Sequence, residues 1–137
     1  SRGYVKNGLE EMGITYHHFN LDEYREISKF YRSLDLYLIT SREEGGPRAV
    51  FESMASGIPL VTTRVGQAMD MAVHNKNSWM VDVDDVEGLV EFAYYVYENN
   101  LDIEEVLYNA RITAESNSYQ SQYKKWKNFM KGFVETV

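Results

Sequence analysis

The sequence predicts one α/β domain in which a layered, Rossmann-like parallel sheet is flanked by helices. Four strand-like runs, separated by amphipathic segments, lie at residues 14–19, 34–40, 60–63 and 78–83. Such alternation of strands and helices is typical of a mainly parallel sheet. The run at 34–40 has Asp35 as its only charged residue, as expected of a strand covered on both faces. With 137 residues, 44% of them hydrophobic, the chain has room for one such domain and its core.

Capping residues and apolar spacing define the helices. Gly13 is expected to end the first helix, and Asn20 is expected to cap the second. The apolar side chains of the second helix recur from Tyr24 to Leu34 at 3, 4, 3 spacing. Further helices are predicted from Pro47, from Ala68, after a cap at Asp84 or Asp85, from Asp102, and over residues 119–135. The last of these helices carries a large apolar stripe.

Composition and charge exclude several classes of function. A net charge of −7 argues against nucleic-acid binding, because phosphate-backbone contacts depend on clustered Lys and Arg. A lysine cluster on the last helix fits either a solvated helix face or a patch for phosphate or anionic membranes. Its members are Lys124, Lys125, Lys127 and Lys131. The absence of cysteine excludes disulfides and zinc–thiolate sites, and no apolar run approaches the roughly 20 residues that span a bilayer.

The segment from Ser41 to Pro59 is the most informative part of the chain. Glu44 and Glu52 stand eight positions apart and bracket a Gly-Gly-Pro turn that opens a short helix. In a parallel α/β sheet, ligands bind beyond the carboxyl ends of the strands. This geometry predicts that residues 41–47 lie on one rim together with residues 19–20 and 64–66.

The Gly-Gly-Pro turn is suited to hold a diphosphate. Gly45 and Gly46 carry no Cβ, so a ligand can approach the backbone closely. Pro47 suits the first helical position, and the free amides of that helical turn then form an anion site. Arg48 can add a positive charge there, or it can point to solvent.

The two glutamates are expected to flank such a diphosphate. Glu52 is five residues beyond Pro47, which is about 7 Å along the helix axis. Its side chain leans back toward the helix N-terminus, so its carboxylate can meet a ribose attached to the phosphates. Glu44 would lie on the far side of the phosphates, where a sugar would be. Spacing alone favours a solvated helix residue at Glu52; the unbroken order of motifs from residue 41 to 63 favours the binding interpretation.

This order of motifs resembles the C-terminal, donor-binding domain of retaining GT-B glycosyltransferases of family 4, the glycosyl transferases group 1. The resemblance extends from about Gly8 to about Tyr119. The matching stretches are residues 35–41, 44–52 with the E-x7-E spacing, 52–61, 65–66, 75–81 and 118–119. Residues 1–137 are accordingly expected to form one partial nucleotide-sugar-binding domain of the GT-B fold, ending in the helix at 119–135.

The resemblance assigns a role to each matching residue. It implies that Glu44 contacts the hydroxyls of the donor sugar near the anomeric centre and that Glu52 holds the ribose. Gly45, Gly46 and Pro47 match the loop whose amides meet the sugar and diphosphate. Further donor contacts are implied at Asn20, Arg48 and Gly66.

The implied activity is hexosyltransferase-like. A glycosyl unit would pass from a UDP- or GDP-sugar to a hydroxyl of a glycan, lipid or small-molecule acceptor, with retention of configuration and without a metal or other cofactor. The implied location is the cytoplasm, with the membrane surface as an alternative through peripheral association of the full enzyme. A nucleotide-sugar 2-epimerase on the same fold and a non-catalytic, degenerate binding module remain open as alternatives.

The sequence departs from the family pattern before Ile14. The family's first two strands, with their Gly-Arg and P-x-K-G turns, are not found there, although these turns supply the basic residues that neutralise the donor diphosphate. In the usual strand order, the two strands would lie between 14–19 and 35–40. We therefore expect this chain to be a fragment that also lacks the N-terminal acceptor domain and is inactive alone.

Overall fold

The computed structural model describes residues 2–21, 23–46, 48–99 and 103–134, which form seven helices and three strands. In chain order these are α1 (Arg2–Glu11), α2 (Tyr24–Tyr31), β1 (Tyr37–Ile39), α3 (Arg48–Ser56), β2 (Leu60–Thr63), α4 (Ala68–Met71), β3 (Trp79–Val81), α5 (Val86–Glu98), α6 (Glu104–Ser116) and α7 (Tyr119–Val134). The strands form one parallel sheet in the order β1-β2-β3. The predicted α/β class with a parallel sheet flanked by helices is confirmed.

The central strand β2 explains how the layers are held together. All four of its residues are buried, as expected of a strand with neighbours on both edges and helices on both faces. Leu60 belongs to a cluster with Val50 and Met54 of α3 and with residues of α6. The next residue, Val61, belongs to a second cluster on the opposite face, where α5 packs. Successive side chains of a strand point to opposite faces, so β2 connects the two halves of the core.

The strand predicted at 14–19 is absent; residues 14–20 have no regular secondary structure. A strand needs a neighbouring strand to complete its backbone hydrogen bonds, and none of the three described strands pairs with this segment. Its link to the sheet is a series of ring contacts instead. Phe19 contacts Phe30 at a centroid distance of 5.3 Å, and Tyr31, the next residue, contacts Tyr37 of β1 at 5.2 Å. The strand prediction for 14–19 is therefore wrong, because no described strand offers this segment a hydrogen-bonding partner.

The bounds of α2 also differ from the prediction. Asn20 does not cap this helix; the cap position is Glu23, whose extended backbone (φ −105°, ψ 134°) immediately precedes the first helical residue. Asn20 lies three residues too early to accept from the first-turn amides. The helix ends at Tyr31 rather than Leu34, because the amide of Leu34 bonds to the carbonyl of Tyr31 in a turn that leads into β1.

The later helices follow the sequence signals more closely. Asp85, one of the two predicted caps, accepts a hydrogen bond from the amide of Gly88 at 2.8 Å. The start predicted at Asp102 lies outside the described residues, and α6 is seen from Glu104. None of the described helices is long and apolar enough to cross a bilayer. The last helix, α7, packs against α6 but leaves an aromatic face exposed, including Trp126, which is 62% exposed.

Candidate functional site

The loop after β1 is held in place by the end of the neighbouring strand. The hydroxyl of Ser41 donates to Oε1 of Glu44 at 2.9 Å. The buried hydroxyl of Thr63, the last residue of β2, donates to the carbonyl oxygen of Ser41 at 2.7 Å. Glu44 itself is exposed, and its second carboxylate oxygen makes no hydrogen bond with the described part of the chain. The loop therefore presents a fixed carboxylate at the carboxyl rim of the sheet.

Gly66 brings the turn after β2 against the same loop. Its φ of +45° is in the left-handed region, and a Cβ at this position would clash with the carbonyl oxygen of Glu44 and approach that of Gly45. Only glycine fits both the dihedral and the close approach. Gly66, predicted as a donor-binding residue, thus has a structural task in supporting the backbone of residues 44–45.

Gly45 and Gly46 have no such structural task within the chain. Neither has a positive φ, so the conformational freedom of glycine is not used here. A Cβ at Gly45 would meet nothing within 4 Å, and one at Gly46 would make only an ordinary contact with Gln67. Both residues are exposed on the rim. Packing within the chain does not explain why positions 45 and 46 are both glycine. A ligand that approaches the backbone closely at these positions would explain it.

The helix α3 begins directly after this loop. Arg48 is its first residue as the structure describes it, and Pro47 lies outside the described residues. Arg48 is exposed and forms no ion pair with any described residue. The unpaired amides of the first helical turn and the positive end of the helix dipole therefore lie beside a free guanidinium, a combination that suits an anion.

Glu52 lies one turn further along the same helix, but it is not free as the sequence suggested. Its Oε2 accepts a hydrogen bond of 3.1 Å from the hydroxyl of Tyr31 at the end of α2. Tyr31 is only 5% exposed, and its ring contacts Tyr37 of β1. Burial raises the pKa of Tyr31 far above its ordinary value, and the neighbouring Tyr37 and Glu52 raise it further, so the phenol stays protonated and donates. Sequence reasoning assigned Tyr31 only to an apolar stripe.

A groove of about 430 Å³ opens beside Glu52. One side is formed by α3 and the other by Gln67 and the link between α6 and α7. The lining residues are Arg48, Phe51, Glu52, Ala55, Gln67, Ala114, Asn117, Ser118 and Tyr119. The volume lies in the usual range for small-molecule sites, about 300 to 1,000 Å³. Glu52 is therefore half-buried at the border of an open groove rather than in the core.

Two ion pairs that the sequence did not reveal connect the loops at this rim. Arg42 donates to Asp84 at 2.6 Å, and Arg64 donates to Asp82 at 3.0 Å. The hydrogen bond from Arg42 to Asp84, with the attraction between the charges, raises the pKa of Arg42. Each pair balances its own charge, so Arg48 is the rim cation of the described residues that remains available to an anion.

Of the predicted site residues, Glu44, Gly45, Gly46 and Gly66 lie on the rim without lining the groove, and Asn20 does not line it either. Asn20 is exposed, and it makes no hydrogen bond to the 44–52 segment as described. No group of three or more His, Asp or Glu side chains within the described ranges could hold a metal. The site thus consists of the rim loop with Glu44, the N-terminus of α3, and a groove with Glu52 at its border.

The parallel sheet, with a loop-to-helix site at its carboxyl rim, defines a Rossmann-like α/β domain. Residues 4–113 match the family model described as glycosyl transferases group 1. The chain belongs to this family. Among curated proteins, a glycosyltransferase of Haemophilus influenzae is 24% identical over 106 residues, which are 77% of this chain and 30% of the relative. The chain therefore spans under a third of that relative.

Solved structures share the fold. The C-terminal domain of a group 1 glycosyl transferase, LpcC of Francisella tularensis, superposes with a TM-score of 0.73 at 18% identity, over 85% of this chain and 61% of that one. Anabaena HepE, solved in complex with UDP-glucose, superposes with a TM-score of 0.80 at 20% identity, over 96% of this chain and 38% of HepE. At these identities the likeness establishes the fold alone.

Proposed function

We propose that this chain binds the nucleotide-sugar donor of a retaining glycosyltransferase. The observation that carries the proposal is the exposed rim formed by Glu44, Gly45, Gly46 and Arg48, with Glu52 at the edge of the groove. Membership of the family supports glycosyl transfer, and the complex of HepE with UDP-glucose supports a nucleotide-sugar as the donor. UDP- and GDP-sugars are the proposed donor classes.

In the proposed mechanism, each part of the rim takes one part of the donor. The amides at the start of α3 and the guanidinium of Arg48 take the diphosphate, Glu52 accepts from the ribose hydroxyls, and Glu44 accepts from hydroxyls of the sugar. The free oxygen of Glu44 and the open space over Gly45 suit this placement.

The proposed reaction breaks the bond between the anomeric carbon and the phosphate oxygen, and the electron pair leaves on the phosphate. The acceptor oxygen then bonds to the same face of the anomeric carbon, through an oxocarbenium-like transition state. The acceptor proton passes to a base, for which the departing phosphate is one candidate. The chain's contribution is to stabilise the charge that grows on the leaving diphosphate, since preorganised donors favour the transition state over the ground state. Glu44 is not proposed as a nucleophile.

The remaining partners are also proposals. A glycan, lipid or small molecule serves as acceptor, and an N-terminal acceptor domain covers the exposed aromatic face of α7. The lysines of α7, of which Lys127 lies over the ring of Tyr123 at 5.9 Å, carry the positive surface for peripheral association of a cytoplasmic enzyme with an anionic membrane. These lysines are all exposed.

The proposal is tested with the full-length gene product and a panel of nucleotide-sugars. We expect one UDP- or GDP-sugar to raise the melting temperature and to be consumed only with an acceptor, yielding a glycoside with the anomeric configuration of the donor. Transfer is expected to continue in excess EDTA, because Arg48 and the helix amides supply the positive charge. Inversion of configuration, or loss of transfer on chelation that Mg²⁺ or Mn²⁺ restores, would contradict the proposal. Conversion of the donor sugar without acceptor would instead identify a 2-epimerase.

Two glycine variants separate ligand contact from structural support. Gly45→Ala is expected to keep the unfolding free energy within about 0.5 kcal/mol of the wild-type value, as surface substitutions do. The same change should weaken binding of the nucleotide-sugar about tenfold, because the new methyl group blocks close approach of the ligand to the backbone. Gly66→Ala is expected to lower the unfolding free energy by about 1–3 kcal/mol, because its Cβ meets the carbonyl of Glu44. Denaturant unfolding and calorimetric titration measure both effects. Unchanged ligand affinity in Gly45→Ala would remove the close-approach argument.

A further inference from the structure

Tyr31 occupies a position that the proposed function does not use. It is the last residue of α2, and its ring is fixed by contacts with Phe30 at 6.1 Å and Tyr37 at 5.2 Å. With 5% of its surface exposed, it has no direct access to the groove. A buried tyrosine usually gives its hydroxyl a partner, and here that partner is Oε2 of Glu52, at 3.1 Å.

The direction of this hydrogen bond matters. An ionised carboxylate can only accept, so the phenol of Tyr31 must donate. The bond occupies one oxygen of Glu52 and leaves the other oxygen, with its lone pairs, for a ligand in the groove. A bond to an ionised acceptor is stronger than one between neutral groups. It selects one orientation of a long side chain that would otherwise sample several rotamers.

We propose that Tyr31 is a positioning residue that holds Glu52 so that its second oxygen receives the ribose hydroxyls of the donor nucleotide. The inference rests on the proposed function and deepens it: the ability to distinguish ribose from deoxyribose depends on a pair of residues, one on α2 and one on α3. Because the ring of Tyr31 packs against Tyr37 of β1, the sheet fixes the position of the phenol and, through the hydrogen bond, that of the Glu52 carboxylate. Preorganisation of this kind raises affinity by reducing the ordering cost of binding.

The experiment uses the full-length gene product and compares UDP with 2′-deoxy-UDP, and GDP with 2′-deoxy-GDP, by calorimetric titration. Tyr31→Phe keeps the ring and its packing and removes only the hydroxyl. We expect the ribonucleotide to bind about tenfold more weakly, the order expected for loss of one hydrogen bond to a charged group, and the preference over the deoxynucleotide to fall by a similar factor. In transfer assays the KM for the donor should rise more than kcat falls.

Tyr16→Phe is the matched control. The hydroxyl of Tyr16 also donates to a glutamate, Glu10, at 3.0 Å, but this pair lies outside the groove. The Tyr16→Phe variant should therefore have the nucleotide affinity and the ribose preference of the wild type. In a Glu52→Gln background, Tyr31→Phe should have little further effect, because the hydroxyl acts through the carboxylate.

The outcomes distinguish a wrong role for Tyr31 from a wrong proposed function. If the wild type binds neither UDP nor GDP, the proposed function fails. If the wild type binds and prefers the ribonucleotide, and Tyr31→Phe does so equally well, the positioning role of Tyr31 is wrong. If Tyr31→Phe does not fold, the Glu52→Asp variant provides a second test of the positioning role. Its carboxylate is one methylene shorter and cannot reach Tyr31 and the groove together, so an undiminished ribose preference in that variant would overturn the inference.

Discussion

Replacing Glu44 by glutamine in the full-length gene product is expected to lower kcat for glycosyl transfer by about 100-fold or more, the usual cost of removing a positioned polar group beside the reacting atoms. The affinity for the nucleoside diphosphate should stay within about threefold of the wild type, because diphosphate and ribose are held elsewhere. The physical reason is the charge of Glu44, which is exposed on the rim and fixed through Ser41. Steady-state transfer assays and titration with the nucleoside diphosphate measure the two quantities.

The neighbouring Glu43 provides a matched control for this experiment. It is also an exposed glutamate of the same loop, and no contact of the described structure assigns it a role in the site. Glu43→Gln should therefore transfer at close to the wild-type rate. Equal losses in both variants would indicate a general effect of loop charge, and an unchanged kcat in Glu44→Gln would remove Glu44 from the reaction centre.

Replacing Glu52 by alanine is expected to act on binding. We expect the affinity for the nucleoside diphosphate to fall by about 10- to 100-fold, since hydrogen bonds between ribose hydroxyls and a carboxylate are lost. The buried hydroxyl of Tyr31 also loses its acceptor, so the unfolding free energy should fall by about 1–3 kcal/mol. Calorimetric titration and denaturant unfolding report the two effects separately.

Glu91→Ala is a suitable control for that change, because Glu91 is an exposed glutamate on α5, away from the groove. It should alter neither affinity nor stability. If Glu52→Ala bound the nucleoside diphosphate as tightly as Glu91→Ala does, the ribose would have to be held by another residue. The loss for Glu52 should exceed that for Tyr31→Phe, because the carboxylate contacts the ligand and the phenol only orients it.

The fold could be predicted from the sequence where the signals are local. The strand at residues 60–63 and the cap at Asp85 follow directly from apolar runs and capping chemistry. The failure at 14–19 has a different cause, because an apolar run becomes a strand only when another strand completes its hydrogen bonds. The error at Asn20 concerns a boundary, which depends on where the backbone turns into the helix, at Glu23.

Those features of the site that follow from the order and direction of the strands could be predicted from the sequence. Parallel strands bring the segments after β1 and β2 to one rim, so Glu44 and Gly66 were expected near each other. The structure packs the Cα of Gly66 directly against the carbonyl group of Glu44. The spacing of residues along the sequence does not reveal such a close approach. The bond between Tyr31 and Glu52 was missed for the same reason. A tyrosine within an apolar stripe does raise the question of what its hydroxyl binds, and that signal could have directed attention to it.

The balance of charge at the rim bears on how strongly the described residues bind a diphosphate. Of the rim cations in the described ranges, Arg42 and Arg64 are paired with aspartates, which leaves Arg48 and the helix amides for the diphosphate. The matched region covers under a third of the Haemophilus influenzae relative. The titrations with the Gly45, Glu44, Glu52 and Tyr31 variants are therefore to be made on the full-length gene product.

The central claim is that one helix N-terminus holds the diphosphate, with Glu52 on its ribose side and Glu44 on its sugar side. A crystal structure of the full-length gene product with its nucleotide-sugar tests this most directly. The account predicts the diphosphate against the amide N–H groups of residues 45, 46, 48 and 49, ribose oxygens within hydrogen-bond distance of Glu52, and the sugar beside Glu44. A nucleotide bound away from the α3 groove, or with its ribose and sugar exchanged between the two glutamates, would contradict it.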